Sequence, residues 1–238
     1  TFQRNKLLSL SGMYNGEMIS APEYKSLASL DGAGFHGGYN HIVYQMVGQP
    51  LGVFYLPHST GLVSDGNGGY TYGIADLNGA GVNLEDGEDR YVAGQAVPKT
   101  ILGSNISFRY KRFDLSVQIT GAFGHKIYNG TSLTYMNMNI FPDYNVMKSA
   151  PKQNIKDQTA TDYWLEKGNY VNFDYVTFGW NVPIEKVKKL KKYVRSLRLA
   201  FTVNNLATIS GYSGLSPMIN SSTVNSTLGV DDKRNYPL

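Results

Sequence analysis

The 238 residues carry 22 Lys and Arg against 18 Asp and Glu, a formal net charge of +4, and only 17% are charged, against about a quarter in soluble domains. Much of the positive charge sits in one run between 186 and 195, so the dense basic footprint of a nucleic-acid binder is excluded, and the lack of cysteine excludes thiol chemistry. No stretch approaches the roughly 20 apolar residues of a membrane helix, while 26 Gly, 18 Tyr and 10 Phe suit an outer-membrane barrel or a secreted β-sandwich.

In chain order, residues 1–10 read as the tail of a strand, without the basic start, apolar middle and cleavage site of a signal peptide, which predicts a processed chain or a piece of a longer one. Residues 11–40 show no sustained period and are expected to be loop. Residues 42–55 are β-like, rich in Val, Tyr and Phe, and interrupted by Gly48-Gln49-Pro50, where the proline predicts a bulge or a strand start.

Residues 58–98 form a long polar connection containing Asp76-Leu77-Asn78-Gly79-Ala80-Gly81, which approaches a calcium loop. Ala80 stands where a side-chain oxygen is needed, and Glu85, Asp86, Glu88 and Asp89 miss the closing bidentate position, so a Gly/Asn turn with solvated acids accounts for the pattern.

The clearest local signal is ISFRYKRFDLSVQI, residues 106–119. With Lys111-Arg112 as a two-residue turn, Tyr110 faces Phe113, Phe108 faces Leu115 and Ile106 faces Val117, so every apolar side chain falls on one face. The stretch 113–123 has the length of a strand tilted across a bilayer. Residues 125–168 form a second long polar connection, whose aromatic side chains either bind a sugar or peptide or pack on their own scaffold. Further strands are expected at 170–181 and 197–206, joined by a lysine-rich connector, and 207–238 is turn-rich.

Short connections alternating with long ones, and long two-faced strands, predict an all-β fold: an arc of about five to six antiparallel strands of a transmembrane barrel, with long extracellular loops and short periplasmic connections. Five strands plus a stub cannot close a barrel, whose open edges would leave backbone groups unpaired in lipid, so the chain is expected to be a part. The alternative is a secreted β-sandwich binding glycans through 125–168. Enzyme readings lack support: His36, His41, His58 and His125 show no metal spacing, and Gly211-Tyr212-Ser213-Gly214-Leu215 is not a nucleophile elbow. No catalytic, cofactor or metal residue is assigned.

Several ordered landmarks carry a resemblance. Gly48-Gln49-Pro50-Leu51-Gly52, Asp76-Leu77-Asn78-Gly79, Asp89-Arg90, Tyr110-Lys111-Arg112-Phe113-Asp114-Leu115-Ser116, Gly179-Trp180-Asn181-Val182-Pro183, Asn204-Asn205-Leu206, Tyr212-Ser213-Gly214-Leu215-Ser216-Pro217 and Gly229-Val230-Asp231 together resemble the C-terminal region of SusC/RagA-type TonB-dependent transporters. The likeness covers 42–238. It departs at Arg112, where the family often has Gly, at Ala80, where an acid is usual, and at the end, where a last aromatic-terminated strand is expected.

The resemblance implies that residues 1–238 are the C-terminal portion of a barrel of about 22 strands, lacking the plug, the N-terminal strands and the final strand, in the bacterial outer membrane. It implies as partners the remaining strands and plug, a SusD-type surface lipoprotein acting as a lid, TonB through the N-terminal part, the lipid bilayer, and a glycan or peptide oligomer as imported substrate. Nucleic acid and cofactors are not expected. Within that frame Tyr128, Tyr135, Phe141, Tyr144 and Trp164 are candidate substrate or lid contacts, and Arg109, Asp114, Ser116, Gln118, Arg198 and Thr202 are expected to face the lumen. Phe113, Leu115, Val117, Ile119, Leu197, Leu199, Phe201 and Val203 are expected to face lipid.

Overall fold

The computed structural model describes residues 1–9, 41–84, 89–186, 192–219 and 228–231, together with the backbone of three strands between 12 and 29. Those are β1 (Gly12–Tyr14), β2 (Glu17–Ile19) and β3 (Tyr24–Ser29), and β4 (His41–Met46) and β5 (Val53–Pro57) follow. A hairpin of β6 (Ser59–Ser64) and β7 (Tyr70–Ile74) precedes β8 (Arg90–Gln95). Then come the long strands β9 (Thr100–Tyr110) and β10 (Phe113–Phe123), the short β11 (Lys126–Asn129), helices α1 (Gly130–Tyr135) and α2 (Ala150–Gln153), and β12 (Leu165–Lys167). The chain continues through β13 (Tyr170–Asn181), β14 (Arg198–Ser210) and β15 (Val230–Asp231).

Four long strands, in the order β14-β13-β10-β9, make one antiparallel sheet. Its register pairs Tyr110 with Phe113, Phe108 with Leu115 and Ile106 with Val117, as the alternation of ISFRYKRFDLSVQI predicts. The turn takes its positive φ at Lys111 (53°) and not at Arg112, so the first central position bears the left-handed conformation. Further along, β13 and β14 slip register between Phe173 and Tyr175, and Asn205 adopts φ 49°, a bulge that bends the sheet.

Both faces of this sheet are open. Phe108 (62% exposed) and Phe201 (70%) stand out from one face, and Asn105, Arg109 and Thr202 are exposed on the other. No second sheet packs on it among the described residues, which removes the sandwich reading. A strand of 11 residues at about 3.3 Å each, tilted by about 45°, covers roughly the 25 Å apolar band of an outer-membrane barrel.

At one end the strands are joined by Lys111-Arg112 and by residues 182–197. The other end is a packed cap. There β3-β4-β5-β8 form a second sheet, β6-β7 a hairpin, and β12-β11-β15 a small mixed sheet in which β15 runs parallel to β11. Ile42, Val43, Phe54, Leu56, Tyr72, Tyr128, Leu133, Ile155 and Val230 share one buried core. Residues 42–55 therefore do not join the long sheet as a single strand. Pro50 lies in the turn between β4 and β5, which pair antiparallel, because a residue without an N–H fits the turn and not the ladder.

The other loop expectations change similarly. The stretch 11–40 contains β1, β2 and β3, and 58–98 contains β6, β7 and β8. The stretch 125–168 folds around α1, capped by Asn129, whose Oδ1 accepts the Ser132 N–H at 2.8 Å. The first residues do pair as a strand tail: Phe2 bridges Thr100, and Ile101 N–H donates to the Thr1 carbonyl at 2.8 Å, on the free edge of β9.

Candidate functional site

Two surfaces carry chemistry: the polar face of the long sheet and the cap above it. On the polar face, Asp114 accepts from Arg198 Nε at 3.2 Å and from its terminal nitrogen at 2.5 Å, while Arg109 is paired in register with Asp114. One row up, Ser116 meets Ser107 at 3.4 Å, and Thr177 meets Thr202 at 2.9 Å. Above these, Asn105 donates to Gln118 and to the Tyr175 hydroxyl, both at 2.9 Å. At the bulge, Asp174 accepts from Thr120 at 2.9 Å. Arg109, Asp114, Ser116, Gln118, Arg198 and Thr202 thus share one face, with Phe113, Leu115, Phe178, Leu199 and Phe201 on the other. These rows pair polar side chains laterally across the strands.

The cap is tied together by carboxylates that sequence periodicity does not reveal. Asp162 accepts from His58 Nδ1 at 2.8 Å, the Ser59 N–H at 2.6 Å and the Tyr91 hydroxyl at 2.6 Å, tying to itself two segments that each lie more than 70 residues before it in sequence. Glu166 accepts from Asn129 at 3.0 Å and from the Ser213 hydroxyl and N–H at 2.6 and 2.8 Å. The Tyr212 hydroxyl donates to the buried Asp231. The only sequence hint is an acid amid Tyr, Trp and Asn in otherwise polar loops.

Of the five aromatic candidates, two are exposed: Phe141 (57%) and Tyr144 (55%), neighbours on one loop. Tyr135 is half-buried. Trp164 is half-buried against the core, its Nε1 donating to the Tyr72 hydroxyl at 2.7 Å. Tyr128 requires correction as a contact residue: it is 0% exposed on β11, where the inward position of a covered strand takes the largest ring available. Tyr163, stacked edgewise on Trp164 at 5.0 Å and 37% exposed, is the aromatic of that corner that reaches the surface.

Electrostatics in the cap follow burial. Tyr72 and Tyr128 are driven well above the ordinary phenol range by loss of solvent, and Tyr91 is pushed up to about 12 by burial and its bond to Asp162. Burial pulls His125 down. Asp76 is held below the usual carboxylate range by the N–H groups of Gly81 and Gly79, which donate at 2.9 and 2.6 Å, and Asp65 by those of Asn67 and Gly69. The Asp76 carboxylate is therefore engaged within its own turn, and Asp89 likewise takes the N–H groups of Leu77 and Asn83. Glu85, Asp86 and Glu88 lie outside the described residues.

Comparison with known proteins decides between a barrel wall and other two-faced sheets. No protein-family model matches the chain. It is 26% identical over 256 residues to the TonB-dependent receptor P3 of Formosa agariphila, covering 97% of this chain and 24% of the receptor. Among solved structures it superposes on the RagAB peptide transporter with TM-score 0.60 and 14% identity, over 90% of this chain and 23% of the other. It superposes on the closed-closed RagAB peptide importer with TM-score 0.57 and 12% identity, over 90% and 24%. The chain has the barrel-wall fold of a SusC/RagA-type TonB-dependent transporter. An outer-membrane barrel wall accounts for a sheet with two exposed faces. The chain spans about a quarter of the length of these relatives.

Proposed function

We propose that this chain forms part of the wall and outer mouth of an outer-membrane importer of peptide or glycan oligomers. On this reading it is the C-terminal portion of the barrel. Further strands complete the wall, a plug fills the lumen, TonB supplies the energy, and a SusD-type lipoprotein closes the mouth. The observation that carries the reading is the long sheet, which among the described residues is open on both faces and capped at one end only. Its apolar face suits lipid and its laterally bonded polar face suits a hydrated lumen. The structural relatives described as peptide importers and transporters favour oligomer import.

The Lys111-Arg112 turn and residues 182–197 are assigned to the periplasmic side, and the cap to the cell surface. Phe141 and Tyr144 then offer two rings to substrate or lid, with little side-chain entropy to lose. The test is the double substitution Phe141→Ala/Tyr144→Ala in the full-length transporter. Uptake of the cognate oligomer or affinity for the lid is expected to fall about tenfold, at 1.4 kcal/mol per tenfold, with normal barrel assembly. Unchanged uptake and lid affinity would remove this loop from the contact surface.

A further inference from the structure

The short-connection end of the sheet is basic, and its charge adjoins an aromatic belt. The Asn181 N–H donates to the Arg112 carbonyl at 2.8 Å and the Val182 N–H to the Leu197 carbonyl at 2.9 Å, so the turn and the connection lie side by side. Their described residues hold Lys111, Arg112, Lys186, Lys192 and Arg195 against one acid, Glu185. Among the described residues Glu185 pairs with Arg112, at 3.7 Å, across an exposed gap.

On the apolar face next to these charges, Phe113 stacks on Phe178 at 5.6 Å and on Trp180 at 6.4 Å. Tyr110 and Tyr193 are 58% and 81% exposed. Lys111 Nζ sits 5.2 Å over the Tyr110 ring, and Lys192 Nζ 5.9 Å over that of Tyr193. Amphipathic rings mark the depth of a membrane's headgroups, and long basic side chains reach that depth while their stems stay in the apolar layer. A solvated loop has no need of such a belt beneath its lysines.

We propose that this end binds the phosphate groups of anionic glycerophospholipids in the leaflet it meets. Guanidinium and ammonium groups pair with phosphate oxygens, and each basic side chain near an anionic surface contributes about fivefold in affinity. The proposal rests on the reading that the long sheet crosses the outer membrane.

Trp180 stands in the belt and reports on the lipid beside it. The full-length transporter is placed in phosphatidylcholine bilayers containing brominated phosphatidylglycerol or brominated phosphatidylcholine, and the Trp180 signal is taken as the difference from Trp180→Phe. Quenching is expected to show a preference for phosphatidylglycerol of about fivefold or more at roughly 0.1 M salt, falling toward none at about 1 M. The preference is also expected to vanish when Lys111, Arg112, Lys186, Lys192 and Arg195 are changed to Gln. Equal quenching by both lipids in the unsubstituted protein, or a preference that salt does not weaken, would overturn the proposal while leaving the membrane placement standing. No quenching by either lipid would overturn the membrane placement and the proposal with it.

Discussion

Asp114 and Arg198 lie on strands that are not neighbours, β10 and β14, and their ion pair spans β13 above Gly179. A Cβ at Gly179 would stand 2.4–2.5 Å from the Asp114 oxygens and the Arg198 terminal nitrogen. The glycine is therefore a condition of the pair. Gly179→Ala is expected to separate the two side chains, so that Asp114→Asn lowers the melting temperature of the full-length barrel less in the Gly179→Ala background than in the unsubstituted one. Fully additive effects in that double-mutant cycle would mean that the glycine and the ion pair are independent.

Facing and sidedness can be read with single cysteines, since this sequence has none. In the full-length transporter freed of any other cysteine, Ser116→Cys and Thr202→Cys are expected to react with a water-soluble maleimide. Leu115→Cys and Phe201→Cys are expected to stay protected in a bilayer. On intact cells Asn145→Cys should label and Lys192→Cys should not. The opposite labelling at 145 and 192 would invert the proposed topology.

The cap is close-packed where β15 enters. Gly229 has φ +68°, and a Cβ there would lie 2.4 Å from Ala96 Cβ and 3.0 Å from Phe54 Cζ. Gly229→Ala is expected to cost about 1–3 kcal/mol through overpacking alone, seen as faster proteolysis of the cap while the long strands stay protected. Wild-type protease resistance would show that the core yields at no cost.

The cap should weaken at both extremes of pH. Tyr91, at about 12, and the more deeply buried Tyr72 and Tyr128 keep their protons in the folded state when an unfolded tyrosine, near 10, gives its proton up. Stability is therefore full below about pH 10 and falls as pH rises from there. His125, pulled below its ordinary value, acts at the other end: the unfolded imidazole takes up a proton first, so stability falls as pH drops below about 6.5. Tyrosinate absorbance followed alongside cap proteolysis checks the alkaline limb. Ionisation of all cap tyrosines near pH 10 without loosening would contradict the buried phenols.

What the sequence alone determined is the part governed by strict local period. The alternation in 106–119 set the hairpin, its register and both faces, because a strand's side chains repeat every two residues and one slip would exchange the faces. The same rule found 170–181 and the strand that begins near 197. Tertiary structure decided the cap. Strands β4, β5 and β8 are short, and β5 pairs with β8 across a long return that no turn signal announces, while Gly48-Gln49-Pro50 reads locally as a bulge and turns out to be the β4–β5 turn, so 42–55 reads as one strand and the loops read as structureless. Tyr128 and Phe141 show why aromatic content does not identify a contact: both are large rings in one polar connection, and only the closing of a core by Ile155 and Val230, far away in sequence, buries the first and leaves the second exposed. The Asp162 and Glu166 hubs belong to the same class, since a carboxylate's partners are chosen by long-range chain return and not by spacing.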